Sequence, residues 1–156
     1  LGASGKIVSA FDIASVLAIG ADWANSARGF MFAIGCIQSQ SCHTNKCPTG
    51  VATQDALRQR ALVVPDKAQR VFNFHRSTLK ALAEMLAAAG LEHPSQLSAK
   101  HLVRRMSATE IKLFSELHVF LKPGELLTGE VSGAFYSRMW QMARADSFEP
   151  NEIAAA

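Results

Sequence analysis

The chain has 156 residues, 49% of them apolar and 19% charged, with a formal charge of +3. That length supports one domain with a real hydrophobic core, and the composition is ordinary for a soluble globular protein. No dense basic stretch marks a nucleic-acid binder, and the longest apolar runs, residues 16–19 and 29–37, fall well short of the ~20 residues that span a bilayer.

The N-terminus lacks a basic region followed by an apolar run, so no signal peptide is expected. A start at Leu1 suggests a processed product, an artificial boundary or a fragment. Gly2 and Gly5 flank Ala3 and Ser4 in what reads as a turn over residues 1–6. A helix fits 12–19, with Asp12 as N-cap and Gly20 at C′. A short strand over 21–27 and a short helix over 30–34 follow, and the polar stretch 38–50, punctuated by Pro48 and Gly50, is a loop.

Composition changes near Pro65, dividing the chain into 1–60 and 61–156. The first part carries every cysteine and many small residues, and the second is dominated by helical patterns. Ala68, Val71, Phe72, His75, Leu79, Leu82, Ala83 and Leu86 recur at helical spacing between Pro65-Asp66 and Gly90. A turn at His93-Pro94 precedes a short helix over 98–105. Ser107 and Glu110 read as a capping box for a helix carrying Ile111, Phe114, Leu117 and Leu121, ended by Pro123-Gly124. A last helix holds Phe135, Met139, Met142 and Ala143, and the chain frays from about residue 147. His75 lies on the apolar face and reads as a core histidine satisfied by a hydrogen bond rather than a metal ligand; His93, His101 and His118 share no ligand-like spacing with each other, Arg104-Arg105 reads as a solvated face, and Trp140 and the methionines read as core.

Three cysteines, Cys36, Cys42 and Cys47, lie in a C-x5-C-x4-C-P pattern. An odd, tight cluster without an export signal reads as metal ligation in the cytoplasm rather than as disulfides. Thiolates are soft ligands, and a compact all-cysteine loop suits an iron–sulfur cluster. Three thiolates point to a 3Fe–4S centre, since a four-iron cluster needs a fourth ligand. Zinc with His43 or a distant histidine is a rival, although the paired C-x2-4-C spacing of structural zinc sites is absent. Three inert buried thiols are the other rival, opposed by the polar residues between them.

Ser4-Gly5 and Ala27-Arg28-Gly29 each precede a helix in this reading, separated by one helix and one strand. Such turns let backbone N–H groups approach a phosphate, as after strands seven and eight of a (β/α)8 barrel.

The run Gly35-Cys36-Ile37, followed by Cys42-His43-Thr44-Asn45-Lys46-Cys47-Pro48-Thr49-Gly50-Val51-Ala52-Thr53-Gln54, resembles the cluster loop of glutamate synthases. Residues 2–6 and 18–22 look like the last two barrel units of that family, and residues 72–90 like the helix after its barrel. The likeness extends to about residue 125, is strongest before residue 60, and favours the FMN-binding branch that lacks a glutamine-hydrolysing domain. It implies an α/β chain: the C-terminal segment of a (β/α)8 TIM-type barrel followed by helices, the segment itself mostly α-helical. It also implies FMN and a 3Fe–4S cluster, with hydride transfer to 2-iminoglutarate, made from 2-oxoglutarate and ammonia, to give glutamate. Cys36, Cys42 and Cys47 then correspond to the cluster ligands, and Ser4, Gly5, Arg28 and Gly29 to the FMN phosphate loops. No catalytic residue is assigned within the chain. The partners implied are the remaining barrel and an electron donor, either ferredoxin or an NAD(P)H-oxidising subunit, with neither nucleic acid nor membrane. About six further βα units would lie outside this chain, so it is expected to be inactive alone. The alternative is a stand-alone iron–sulfur electron-transfer or helical interaction module.

Overall fold

The computed structural model describes residues 1–129, 131 and 133–152. Two compact units are formed, Leu1–Leu102 and a second that begins at Val103. The compositional boundary near residue 60 therefore falls inside the first unit, and the long helix after it packs with the elements before it.

The first unit opens with a strand, β1 (Gly2–Ser4), where a turn is expected. It pairs in parallel with β2 (Trp23–Asn25), in the register Gly2↔Trp23, Ala3↔Ala24 and Ser4↔Asn25. Parallel strands require a crossover, and α1 (Ala10–Ala18) supplies it. The residue read as its N-cap, Asp12, lies at N3. Ser9 is the true cap, and the two form a capping box: Asp12 N–H donates to Ser9 Oγ (3.2 Å), and Ser9 N–H donates to Asp12 Oδ2 (2.8 Å). At the other end Gly20 N–H donates to Leu17 O and Ala21 N–H to Val16 O, a Schellman stop with Gly20 at C′.

The Ser9 N–H, the largest influence, holds the Asp12 carboxylate below its ordinary 3.8. Its folded-state value lies under its unfolded one, so its contribution is complete above the unfolded value and fades as pH falls through the folded one. Asp12→Asn is expected to cost about 0.5 kcal/mol at pH 7, the worth of a carboxylate in the first turn of a helix, and to lose less between pH 7 and pH 3 than the parent does. Urea unfolding at the two pH values reads this directly.

After β2 come α2 (Arg28–Ala33), a 3-10 turn (Cys42–Thr44), α3 (Ala56–Gln59) and α4 (Val64–Ala88). Pro65 occupies the first turn of α4, where its missing N–H costs nothing, and Gly90 follows the C-cap. Helix α1 turns Ala10, Ala14 and Ala18 inward, and these small side chains bring α4 close. Ala10 and Ala14 form the core with Leu82 and Leu86, flanked by Ile13, Met85 and Leu97. Phe30 of α2 meets Phe74 of α4 edge-on, with ring centroids 5.3 Å apart.

The buried face of α4 differs from the expected one. Leu82 and Leu86 are buried, and Val71, Phe74, Thr78, Ala81 and Met85 are half-buried, whereas Phe72 and Leu79 are 55% and 48% exposed. His75, read as a core residue, is exposed as well. The helix carries two apolar stripes, and α1 and α2 cover only one. The Arg76 guanidinium lies over the Phe72 ring at 5.3 Å, shielding part of the other.

The expected helix over 98–105 is absent. A 3-10 turn (Pro94–Gln96) is followed by β3 (Val103–Arg105). In the second unit, Ser107 and Glu110 do not cap a helix; they close a hairpin between β3 and β4 (Ile111–Leu113). Met106 and Ser107 N–H donate to Glu110 O, and Thr109 N–H donates to Ser107 Oγ. A serine hydroxyl offers the backbone an alternative to the helix, and it wins here between β-branched Val103 and Ile111. Only α5 (Phe114–Leu117) remains of the expected helix. Gly124 starts α6 (Glu125–Thr128) rather than ending a helix, and α7 (Ala134–Met142) matches the expected last helix. Trp140, Met139 and Met106, read as core, are exposed. Residues 147–152 hold no helix or strand, although Asn151 N–H donates to Met142 O (2.9 Å); the rest of the expected frayed end lies outside the described residues. No described helix is long and apolar enough to cross a membrane.

Candidate functional site

The β1–β2 register sets Ser4 beside Asn25 at the C-terminal ends of the two strands. Gly5 and Lys6 then turn the chain with φ of 112° and 55°. Ile7, only 2% exposed, anchors the turn, and its carbonyl accepts a hydrogen bond from Ser26 Oγ at 2.7 Å. Beyond β2 the chain enters α2 directly, with Arg28 its first residue.

These two turns form one wall of a cleft of about 360 Å³. Ser4, Gly5, Lys6, Asn25 and Arg28 line it from the strand ends; Met31 and Phe32 add an apolar patch from α2. Cys36, Gln38, Gln40 and Cys42 close it from the cysteine loop. Of the residues singled out in the sequence, Ser4, Gly5, Arg28, Cys36 and Cys42 therefore share one cleft. Lys6, Asn25, Gln38 and Gln40 were not singled out. The signal for Lys6 was its place after Ser4-Gly5; Asn25 comes only from strand register.

Gly29 does not line the cleft. It is buried in α2, and a Cβ there would lie 2.8 Å from Phe74 Cζ and 2.9 Å from Ser26 Oγ. It lets α2 approach α4 closely and so fixes where Arg28 begins the helix.

The cysteine loop starts from a helix stop. Gly35 takes φ 107°; its N–H donates to Phe32 O (3.0 Å), and Cys36 N–H donates to Met31 O (2.9 Å). This Schellman pair holds the backbone of Cys36. Cys42 begins the exposed 3-10 turn, which also carries His43. Asn45, left-handed at φ 61°, ties the loop to the segment after it. Its Oδ1 accepts from Gln54 N–H (2.6 Å) and Thr53 Oγ1 (2.9 Å), and its carbonyl accepts from Thr53 Oγ1 (2.7 Å). The distance in sequence between Asn45 and the Thr53-Gln54 pair is thus a closed loop. Asp55 caps α3 through Leu57 N–H, and Arg58 Nη1 donates to Lys46 O (3.4 Å).

Cys47, 6% exposed, lies at the base of this loop and not in the cleft. Its Sγ is 3.5 Å from Thr49 Oγ1. The Thr49 hydroxyl, with the backbone N–H groups of Ala52, Thr49 and Val51, pulls the thiol from 9.0 down to about 7. Donors converging on sulfur favour a thiolate, the form that ligates metal. Among the described residues no three His, Cys, Asp or Glu side chains are grouped closely enough to hold a metal ion. The loop fits a thiolate-held group in its donors, while the three sulfurs are not gathered about one point. The other histidines serve local structure: His93 Nδ1 accepts from Ser95 N–H, His101 Nδ1 accepts from Ser98 N–H, and His118 packs between Phe114 and Phe120.

Residues 1–92 match the family model described as a conserved region in glutamate synthase. The chain is 44% identical over 120 residues to the glutamate synthase large subunit-like protein YerD of Bacillus subtilis, covering 76% of this chain and 23% of that protein. It is 31% identical over 113 residues to the archaeal-type glutamate synthase [NADPH] of Dehalococcoides mccartyi, covering 70% of this chain and 23% of the relative. With ferredoxin-dependent glutamate synthase 2 of a Synechocystis species it shares 36% identity over 93 residues, 59% of this chain and 6% of that one. The chain thus spans a quarter or less of the length of each of these relatives. No solved structure matches it.

Proposed function

The chain belongs to the glutamate synthase family, and we propose that it is the C-terminal segment of a cytoplasmic, FMN- and iron–sulfur-dependent oxidoreductase of that type. The reaction is the reduction of 2-iminoglutarate, formed from 2-oxoglutarate and ammonia, to glutamate. The observation that carries this reading is the cleft itself, which joins the Ser4-Gly5 turn, the Arg28 cation and two cysteine thiols in one space. When bound, FMN supplies the hydride and a 3Fe–4S cluster supplies single electrons.

This chain's part is to bind and position. The N–H groups of the Ser4-Gly5 turn would take the FMN phosphate, and the Arg28 guanidinium would offset its charge with a forked pair of donors. Gly29 seats α2 against Phe74 so that Arg28 stays at the cleft. Cys36, Cys42 and Cys47 would hold the cluster, and the donors around Cys47, the Thr49 hydroxyl first, stabilise negative charge on its sulfur. The parallel β1–β2 pair with its α1 crossover supports a place at the end of a (β/α)8 barrel, completed by strands outside this chain. Electrons would come from ferredoxin or from an NAD(P)H-oxidising subunit. Two relatives carry such donors in their names, ferredoxin in one and NADPH in the other.

The test is anaerobic purification of the full-length protein containing this chain, with iron, sulfide and zinc analysis and a visible spectrum. Flavin absorbance with iron and sulfide supports the reading. Iron and sulfide without flavin would favour an electron-transfer module instead, and zinc alone would remove the cluster. Arg28→Ala is expected to weaken FMN binding about tenfold, the worth of one charge-assisted contact. Equal affinity in the flavin titration would take Arg28 out of the site.

A further inference from the structure

Helix α4 lays one stripe against the rest of its unit, with Val71, Phe74, Thr78 and Ala81 half-buried along it. Lys67 stands at the head of the same stripe, one turn before Val71. An apolar residue would bury more surface there, yet the lysine side chain is only 20% exposed. The place it reaches is Gly35, where α2 has stopped and the cysteine loop begins. A Cβ added at Gly35 would lie 3.8 Å from Lys67 Nζ and 4.0 Å from Arg70 Nη1. Cys36 is the next residue, so both cationic heads lie within about 9 Å of its Cα.

The end of α2 does not call for these cations. The carbonyls of Phe30, Met31 and Phe32 already accept the N–H groups of Ile34, Cys36 and Gly35. Nor do Lys67 and Arg70 line the cleft at the strand ends. Lys67 pairs with Asp66 Oδ2 at 3.3 Å, a carboxylate 57% exposed. Among the described residues Arg70 forms no ion pair. Asp66, Lys67 and Arg70 together therefore carry one net positive charge beside the first cysteine of the loop.

We propose that Lys67 and Arg70 are positioning residues that act through Cys36: they lay a positive field on that end of the loop and so raise the reduction potential of a centre held by Cys36, Cys42 and Cys47. This rests on the cluster reading of the loop and adds which side chains set the electron affinity there. Reduction brings in one electron from the donor, a ferredoxin or an NAD(P)H-oxidising subunit, and no bond forms or breaks. The thiolate-held charge becomes more negative by one, and nearby cations favour the more negative state. The low exposure of Lys67 keeps its charge from full screening by solvent ions. The loop supplies the ligands and their hydrogen bonds, and α4 supplies the charge around them.

The experiment uses the full-length protein containing this chain. Anaerobic redox titration with dithionite and mediators, followed by visible absorbance, reads the reduction potential. Lys67→Met keeps an unbranched side chain without the charge, and Arg70→Gln removes the second cation. Each should weaken the reduction equilibrium about threefold, and the double variant about tenfold, which is ~59 mV downward for a one-electron couple. Iron and sulfide contents should stay at the parent level, and Lys67→Arg should keep the parent potential. A second readout needs no metal. In a metal-free Cys42→Ser background Cys36 is the accessible thiol, because Cys47 is buried. Its rate with the dianionic disulfide dithiobis-nitrobenzoate is divided by its rate with neutral dithiodipyridine. The ratio cancels the thiolate fraction and reads the field at the sulfur, and it should fall about threefold in the double variant. An unchanged ratio overturns the proposal. So does a lowered ratio with an unchanged reduction potential in iron-loaded protein, or a Lys67→Arg variant that behaves as Lys67→Met does, which marks a packing role. A lowered ratio in protein that takes up neither iron nor sulfide removes the cluster reading and overturns the redox role with it, leaving only the field at Cys36.

Discussion

Gly50→Ala is expected to destabilise the first unit by about 2–5 kcal/mol, through two separable causes. Gly50 has φ 76°, where an L side chain costs about 1–2 kcal/mol. A Cβ there would also strike the carbonyl oxygen of Arg58 and lie 3.1 Å from its carbonyl carbon. Both belong to backbone, so α3 or the turn after Cys47 must move, an overpacking cost of about 1–3 kcal/mol. Gly90 is the matched control, because it has φ 71° and nothing within 4 Å of an added Cβ. Gly90→Ala should show the conformational cost alone. Equal losses for the two variants in urea unfolding would mean that the turn after Cys47 yields without resistance. The loss matters on the usual scale of total stability, about 5–15 kcal/mol. The same shift should spread the donors around Cys47, since Gly50 lies between Thr49 and Val51, and it is the Thr49 hydroxyl, then the N–H groups of Ala52, Thr49 and Val51, that lower the Cys47 thiol to about 7. Thiolate absorbance of Cys47, with the other two cysteines replaced, should then move back towards 9.0.

Cys42→Ser should remove the cluster, taking iron and sulfide from the stoichiometry of a three-iron centre to background. A serine oxygen is a hard, mostly protonated donor and replaces a soft thiolate poorly. Cys42 is the informative choice because its side chain is exposed. The substitution should leave the fold intact, with circular dichroism unchanged. Cys47→Ser would disturb a buried group whose hydrogen bonds organise the turn, and would confuse ligation with folding. His101→Ala is the companion, with its ring nitrogen engaged by Ser98. It should keep full iron and sulfide. Equal metal content in Cys42→Ser and the parent would remove the loop from cluster binding.

Much of the path to these experiments was legible in the residues. Cys36, Cys42 and Cys47 with Pro48 mark a loop by composition and spacing, and the long signature around them led to the family. Helix α4 was readable between Pro65 and Gly90, and α7 from its apolar spacing, because capping and periodicity are local properties of the chain. The Ser4-Gly5 and Arg28 turns were visible as small or charged residues before a helix.

Other features depended on partners far along the chain. Periodicity shows that Phe72 and Leu79 are apolar, but α1 and α2 cover the neighbouring stripe through Leu82, Leu86 and Phe74. Ser107 and Glu110 have the letters of a capping box, yet pairing of Val103 with Leu113 makes them a hairpin turn. Gly29 looked like a phosphate glycine, and its nearest obstacle is Phe74, 45 residues later in the sequence. Residue types and spacing by themselves determined the cysteine loop, the two ends of α4 and the family, since each is written in a short window. Only the tertiary structure decided which stripe of α4 is buried, that Gly29 serves packing, and that Lys6, Asn25, Gln38 and Gln40 face the same cleft as Arg28, because register and close approach are set between segments rather than within them.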